Sequence, residues 1–326
     1  MKKILRWRVY LLLGLLVILI GYSVANYQAD IPVSQLIDKY ANAESEFMKM
    51  DSIEVHYRDE GNPNDSIPLV LLHGTSSFLQ TWDGWTQALK TTHRIIRLDL
   101  PAFGITGPNP QNDYSTQYYV AFLHTFLQNL GVEQCYLAGN SLGGSIAWNY
   151  TVAFPNEVKK LILLDAGGYT AKGKRTGGNL GFRIARMPVV NQLVRYITPR
   201  SIVAKSLQDT YGDDSKINDE LIDCYWKMTL RAGNREALIS RMQTMWQNQP
   251  ALIKQIKCPT LIMWGELDQL IPVEHAELFH QDIKGSQVII YQGVGHVPME
   301  EIPAQTAKDV ALFVTPTSQS ASQSKR

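Results

Sequence analysis

The sequence predicts an α/β fold: a doubly wound, mostly parallel sheet with an inserted helical cap, preceded by an N-terminal transmembrane helix. Three observations lead there. Six short apolar runs recur, at 67–72, 94–98, 136–138, 161–164, 260–264 and 287–291. They are continuous rather than alternating, as strands covered on both faces require. Helix-like segments separate most of them, and strand–helix–strand alternation builds a parallel sheet. One interval, 165–257, has no convincing buried strand but several helical patterns, and this marks the insertion.

The elements follow in order. Residues 9–29 carry no charge, are mostly Leu, Ile, Val or Gly, and follow Lys2, Lys3, Arg6 and Arg8. At about 1.5 Å rise per residue such a stretch crosses a hydrocarbon core of about 30 Å. The basic cluster then stays cytoplasmic and the rest of the chain lies outside the cytosol. A cleaved signal peptide, leaving a secreted or periplasmic protein, is the alternative, because Ser23-Val24-Ala25 resembles a small-residue cleavage site. Residues 30–46 read as a linker. Residues 47–57 are strand material around an Asp51-Ser52 turn, and 58–66 is a polar loop holding Gly61, Asn62 and Pro63.

Helices of the core are expected at 82–90, 118–130, 142–154, 275–281 and 304–314. Within the insertion they are expected at 188–196, 201–211, 219–230 and 235–246. The core is therefore 47–165 joined to 258–315, the cap 166–257, and the Ser/Gln/Thr-rich end, 316–326, a disordered tail. Tyr225, Trp226, Met228, Met242, Met245 and Trp246 either line an apolar pocket under the cap or pack its helices together. Gly167, Gly168, Gly173, Gly177 and Gly178 form a hinge or a mobile loop at the cap entry.

Composition narrows the function classes. The chain has 326 residues, with 31 basic and 30 acidic side chains for a formal charge of +1, so no nucleic-acid or polyanionic partner is indicated. Cys135, Cys224 and Cys258 lie far apart with no metal-type spacing, which points to buried free thiols rather than zinc or a disulfide framework. No metal and no cofactor is implied.

The chemistry begins at Gly139-Asn140-Ser141-Leu142-Gly143-Gly144, between the run ending at Ala138 and a helix-like stretch. A serine on a tight strand-to-helix turn has its hydroxyl lifted clear of the backbone, and small neighbours let strand and helix approach. The N–H of Leu142, opening the helix, is placed to hold a developing oxyanion. By composition alone such a pattern arises by chance in roughly one chain of this length in ten, so partners are needed.

In a doubly wound sheet, ligands bind beyond the carboxyl ends of the strands, and three further motifs sit there. After the first run comes His73-Gly74-Thr75-Ser76-Ser77-Phe78, whose backbone offers a second oxyanion donor at Thr75. After the fifth comes Gly265-Glu266-Leu267-Asp268, and after the sixth Gly293-Val294-Gly295-His296-Val297-Pro298. Of the seven histidines, His296 is the candidate base, held in a loop after a strand. His73 abuts the oxyanion loop and is expected to brace it, while His56, His93, His124, His275 and His280 read as structural or solvated. Asp268, further into its loop than Glu266, is the candidate acid, with Asp165 at the end of the fourth run as its rival. Asp99 reads as a turn-shaping residue. The chain order Ser141, Asp268, His296 differs from that of the two common serine-protease folds.

On these motifs, together with Asp99-Leu100-Pro101-Ala102-Phe103-Gly104, the chain resembles the α/β-hydrolase fold family from about Phe47 to Thr315. Within that family it is similar to membrane-associated or secreted bacterial carboxylesterases and lipases, and also to carbon–carbon bond hydrolases of aromatic ring cleavage. It departs from the latter's usual His-Gly-x-Gly-Pro-Gly oxyanion loop. Ser141 separates it from relatives that use an Asp nucleophile.

The resemblance implies hydrolysis of a small-molecule or lipid-derived ester by a monomer, with Ser141, His296 and Asp268 as a triad and Thr75 and Leu142 as the oxyanion hole. Carbon–carbon bond hydrolysis, or a noncatalytic hydrolase-fold binding module, is the alternative.

Overall fold

Apolar runs with no polar face must be covered on both sides, and this chain meets that demand with one eight-stranded sheet. Across the sheet the strands lie in the order 45–50, 53–61, 94–98, 69–72, 135–140, 158–164, 260–265 and 287–291. The computed structural model describes residues 23–169, 195–244 and 249–315, with isolated positions between 7 and 21 and at 187 and 191. The strands are β1 (Ser45–Met50), β2 (Ile53–Gly61), β3 (Leu69–Leu72), β4 (Arg94–Leu98), β5 (Cys135–Asn140), β6 (Val158–Leu164), β7 (Thr260–Gly265) and β8 (Gln287–Tyr291).

β1 and β2 form the expected antiparallel hairpin, turning at Asp51 with φ 47°. From β4 through β8 every neighbouring pair is parallel. β2 runs to Gly61, beyond the predicted loop boundary at Arg58, because cross-strand charges compensate its polar residues. Asp59 accepts two bonds from Arg94, at 2.9 and 2.6 Å, and Glu60 pairs with Arg97 at 2.7 Å. β3 begins only at Leu69, since Pro68 has no N–H to enter a ladder. β8 lies at the sheet edge and is only partly covered.

Two helical layers enclose the sheet. On one face Phe122, Phe126, Ile146, Trp148 and Phe279, from helices Thr116–Asn129, Leu142–Ala153 and Glu274–Asp282, form one apolar core. On the other, Trp82, Trp85 and Val310 join β3 and β7 residues in a second, using helices Asp83–Leu89 and Pro303–Val314. Each fully buried side chain of this size contributes about 1.5 to 3 kcal/mol of transfer free energy. Helix Leu142–Ala153 is buried almost all round, which holds the residue that opens it in a rigid setting.

Between β6 and β7 the described residues contain helices Arg200–Gln208, Asp219–Thr229 and Asn234–Gln243 and two 3-10 turns, Asp214–Lys216 and Pro250–Gln255, with no sheet strand. Asn218 caps the second of these by accepting the Leu221 N–H at 2.8 Å. Most of the predicted 188–196 helix, Gly173, Gly177, Gly178, Met245, Trp246 and the 316–326 tail fall outside the described residues. In the stretch expected as a linker the structure has a helix, Val33–Tyr40, whose Leu36 packs against Phe78, Ile105 and Met228. The backbone just before it bonds Leu230 and Ala232, fastening the N-terminal segment across these helices. Among the described residues no helix is long and apolar enough to cross a membrane. Of the expected anchor, 9–29, residues 9, 12, 15, 16, 18–20 and 22 lie outside them.

Candidate active site

Ser141 follows β5 with φ 52° and ψ −109°, in the left-handed region that costs a non-glycine residue about 1 to 3 kcal/mol. Close packing imposes it. A side chain at Gly143 would put its Cβ 2.1 Å from the Leu72 carbonyl oxygen, and one at Gly139 would put it 2.3 Å from the Gly143 carbonyl. Helix and strand therefore touch backbone to backbone, and the turn between them has room only for a sharp bend. The Ser141 N–H donates to Leu164 O at 3.0 Å, tying the bend to the end of β6.

Asp268 and His296 come from the loops after β7 and β8, which are parallel neighbours. His296 Nδ1 lies 2.7 Å from Asp268 Oδ2, and the carboxylate side chain is fully buried. The other oxygen, Oδ1, accepts the N–H groups of Leu270 at 2.7 Å and Ile271 at 3.0 Å. With Nδ1–H donated to a carboxylate, Nε2 keeps its lone pair and can take a proton. Asn140, the residue before Ser141, donates from Nδ2 to His296 O at 2.9 Å. Serine turn and histidine loop are thus braced directly.

The rival acid has a different setting. Asp165, fully buried with φ 44°, accepts the Gly265 N–H on Oδ1 at 2.9 Å, and its Oδ2 has no hydrogen-bond partner. Burial, then the neighbouring Asp268 charge, pushes its carboxyl well above the usual range, toward the protonated form. Asp165, Asp268 and His296 present ligand-type atoms within 4.8 Å of one another. As a metal site the set fits poorly: Nδ1 is engaged by Asp268, and burial disfavours charge on Asp165. Glu266 faces outward and accepts the Gly293 N–H at 3.1 Å.

His73 has both ring nitrogens on backbone. Nδ1–H donates to Gly74 O at 2.7 Å and Nε2 accepts the Leu100 N–H at 2.9 Å, while burial pushes its pKa down. His56 is not solvated: it is fully buried, with Nδ1 2.8 Å from Asp99 Oδ2 and Nε2 2.9 Å from Ser45 Oγ. Asp99 also accepts the Leu79 and Ile105 N–H groups at 2.8 Å, which fixes the turns around it. Burial alone would raise its pKa, but His56 and these donors hold it below the ordinary value.

Ser141 and His296 line one cavity of about 120 Å³. Thr75 is on its wall beside Gly74, and Leu142, as the first helical residue, has an N–H with no intrahelical acceptor. Ile197, Ile202, Val203, Leu207 and Leu238 supply its apolar lining. Of the aromatic and Met residues singled out in the sequence, Tyr225 reaches the wall. Trp226 instead donates to Thr198 O at 2.8 Å, and Met228 packs beside Leu36. Arg235 was missed. It is buried on the wall, with Nη2 donating to Gln28 O at 2.8 Å and Asp30 Oδ1 at 2.6 Å. A basic residue in a helix's first turn, against the helix dipole, was the available signal.

Comparison with known proteins bears on this geometry. Residues 67–303 match the family model described as alpha/beta hydrolase fold. Lipase 3 of Moraxella sp. is 27% identical over 311 residues, covering 90% of this chain and 93% of that protein. The 2-hydroxy-6-oxo-2,4-heptadienoate hydrolase of Pseudomonas putida is 27% identical over 254 residues, covering 75% and 86%. The crystal structure of a bacterial membrane phospholipase A superposes with TM-score 0.72 at 24% identity, covering 96% of this chain and 98% of that one, a likeness of fold. With its family model spanning β3 to the segment after the His296 loop, the chain belongs to the α/β-hydrolase fold family, as a hydrolase with lipases among its relatives.

Proposed function

We propose that the protein is a serine hydrolase that cleaves carboxylic esters through a covalent acyl-enzyme on Ser141. The observation that carries this reading is the 2.7 Å contact of His296 with Asp268, on a cavity whose wall His296 shares with Ser141. His296 Nε2 takes the hydroxyl proton as Ser141 Oγ attacks the ester carbonyl. The N–H groups of Thr75 and Leu142 hold the oxygen on which charge develops. Collapse of the tetrahedral intermediate expels the alcohol, which leaves with the proton from His296. Water, giving a proton to His296, then attacks the acyl carbon; the acid departs and the serine hydroxyl is restored. Asp268 stays ionised, keeps the Nδ1–H tautomer and stabilises the imidazolium. Burial holds Asp165 toward its protonated form, which disfavours a second negative charge behind it.

The aliphatic lining fits an apolar acyl chain, and the Moraxella lipase supports a lipid-derived ester. In this reading the helices between β6 and β7 are a cap over the site. Residues 9–29 anchor the catalytic domain at a membrane, outside the cytosol, on the strength of their charge-free apolar sequence and basic flank. Ser141→Ala is expected to reduce hydrolysis of short and medium p-nitrophenyl esters by about 10⁴-fold or more with unchanged circular dichroism. Activity retained in that variant contradicts the nucleophile assignment. A carbon–carbon bond hydrolase is the second reading, favoured by the Pseudomonas putida relative. Faster turnover of 2-hydroxy-6-oxo-2,4-heptadienoate than of any ester would select it.

A further inference from the structure

Glu301 lies five residues after His296, on the one-turn helix Pro298–Glu301, and is 4% exposed. Its carboxylate joins two loops that are far apart in the chain. Oε1 accepts the Gly295 N–H at 2.7 Å, next to His296, and Oε2 accepts the Gly212 and Asp213 N–H groups at 3.0 and 3.2 Å. The second pair belongs to the loop after helix Arg200–Gln208. That loop also carries Thr210, whose carbonyl oxygen accepts the His296 N–H at 2.8 Å and whose residue lines the cavity.

Nothing stands between these loops. A Cβ on Gly295 would lie 2.4 Å from Thr210 O, and one on Gly265, at the start of the Asp268 loop, 1.8 Å from Gly295 O. The backbones of the acid loop, the histidine loop and the cap loop meet without intervening side chains. The neighbouring Glu300 extends the grip, accepting the hydroxyls of Tyr211 and of Tyr225, the latter at 2.6 Å. A buried carboxylate with three N–H donors is a high-stakes contact, because each donor left unpaired is penalised by its full desolvation.

We propose that Glu301 is a positioning residue that makes seating of the cap loop and placement of His296 a single event. When the cap loop is seated, its Gly212 and Asp213 N–H groups fix Oε2, and through the same carboxylate Oε1 fixes the backbone beside the base. When the loop lifts, His296 loses its Thr210 anchor, and the Glu301 carboxylate, freed at Oε2, no longer has a fixed position from which to hold the Gly295 N–H. The inference rests on His296 being the base.

Glu301→Gln tests it in the full-length protein. The amide keeps one acceptor and turns a donor toward the other N–H groups, so one of the two loops must be let go. The expected result is a fall in kcat of about tenfold or more on a short p-nitrophenyl ester, with KM changed much less, and faster limited proteolysis within 209–213. Glu301→Asp, one methylene too short to span both loops, gives the same pattern and serves if the glutamine variant does not fold. Faster cleavage of the loop with wild-type kcat makes Glu301 a cap staple only and overturns the proposal, as does no change in either measurement. Ser141→Ala is assayed alongside. Hydrolysis surviving there overturns the triad reading, whereas wild-type kcat in the Glu301 variants with an inactive Ser141→Ala overturns the clasp alone.

Discussion

At the scale of single residues, Asp165 and Asp268 show how environment assigns roles to identical side chains. Asp268 accepts two backbone N–H groups and the His296 ring, so its charge is compensated. Asp165 has one N–H donor and an oxygen with no partner, and burial and the Asp268 charge push its carboxyl upward toward the protonated form. Asp165→Asn replaces a carboxyl that burial holds toward its protonated form with a neutral isostere. It is expected to leave the acid limb of the kcat/KM profile in place; a downward shift of about one pH unit would show that Asp165 had been ionised. Stability follows from the same shift. A carboxyl raised in the folded state contributes stability that is full below the unfolded value, near pH 4, and lost as pH rises through the folded one. Asp165→Asn is therefore expected to melt above the parent protein at pH 7, with the gap closing toward pH 4, as read by calorimetry across that range.

At the scale of elements, what could be read from the chain depended on how local the cause was. β4 and β8 run over 94–98 and 287–291 as their apolar runs predict, because polar and turn residues stop those runs. The extension of β2 to Gly61 was not readable, since the Arg94 and Arg97 partners of its acids arrive from another strand. Ser141, Asp268 and His296 were each legible as residues following an apolar run. Glu301 and the Asn140 bond to His296 were not, because their partners lie on other loops and leave no period in the sequence, and for Arg235 the one signal was its place in a helix's first turn. The three described helices between β6 and β7 were legible from their spacing, but which of their faces meets the cavity depends on docking, which leaves no local signal at Ile202 and Leu207. The close approach at the serine turn gives a test at this scale. Gly143→Ala sets a methyl against the Leu72 carbonyl and is expected to lower unfolding free energy by about 1 to 3 kcal/mol or more in urea. A variant as stable as the parent, and as active, would show that the turn tolerates separation of β3 and the helix.

At the scale of the whole molecule, the chain assembles its cavity from distant pieces. The sheet supplies the Ser141 turn and the two later loops, the helices after β6 supply the apolar wall, and the segment before β1 reaches back to Arg235 on that wall. The N-terminal segment is thus part of the architecture around the site, with Leu36 buried against residues from three other parts of the chain. Everything in this arrangement that bears on function converges on whether Ser141 is a nucleophile activated by His296. The most direct measurement is peptide mass spectrometry after exposure of the folded full-length protein to a small fluorophosphonate. The account predicts a single covalent adduct on the peptide containing Ser141, lost in His296→Ala while that variant remains folded. An unlabelled Ser141 in the folded parent protein, or labelling that survives loss of His296 at an undiminished rate, would contradict it.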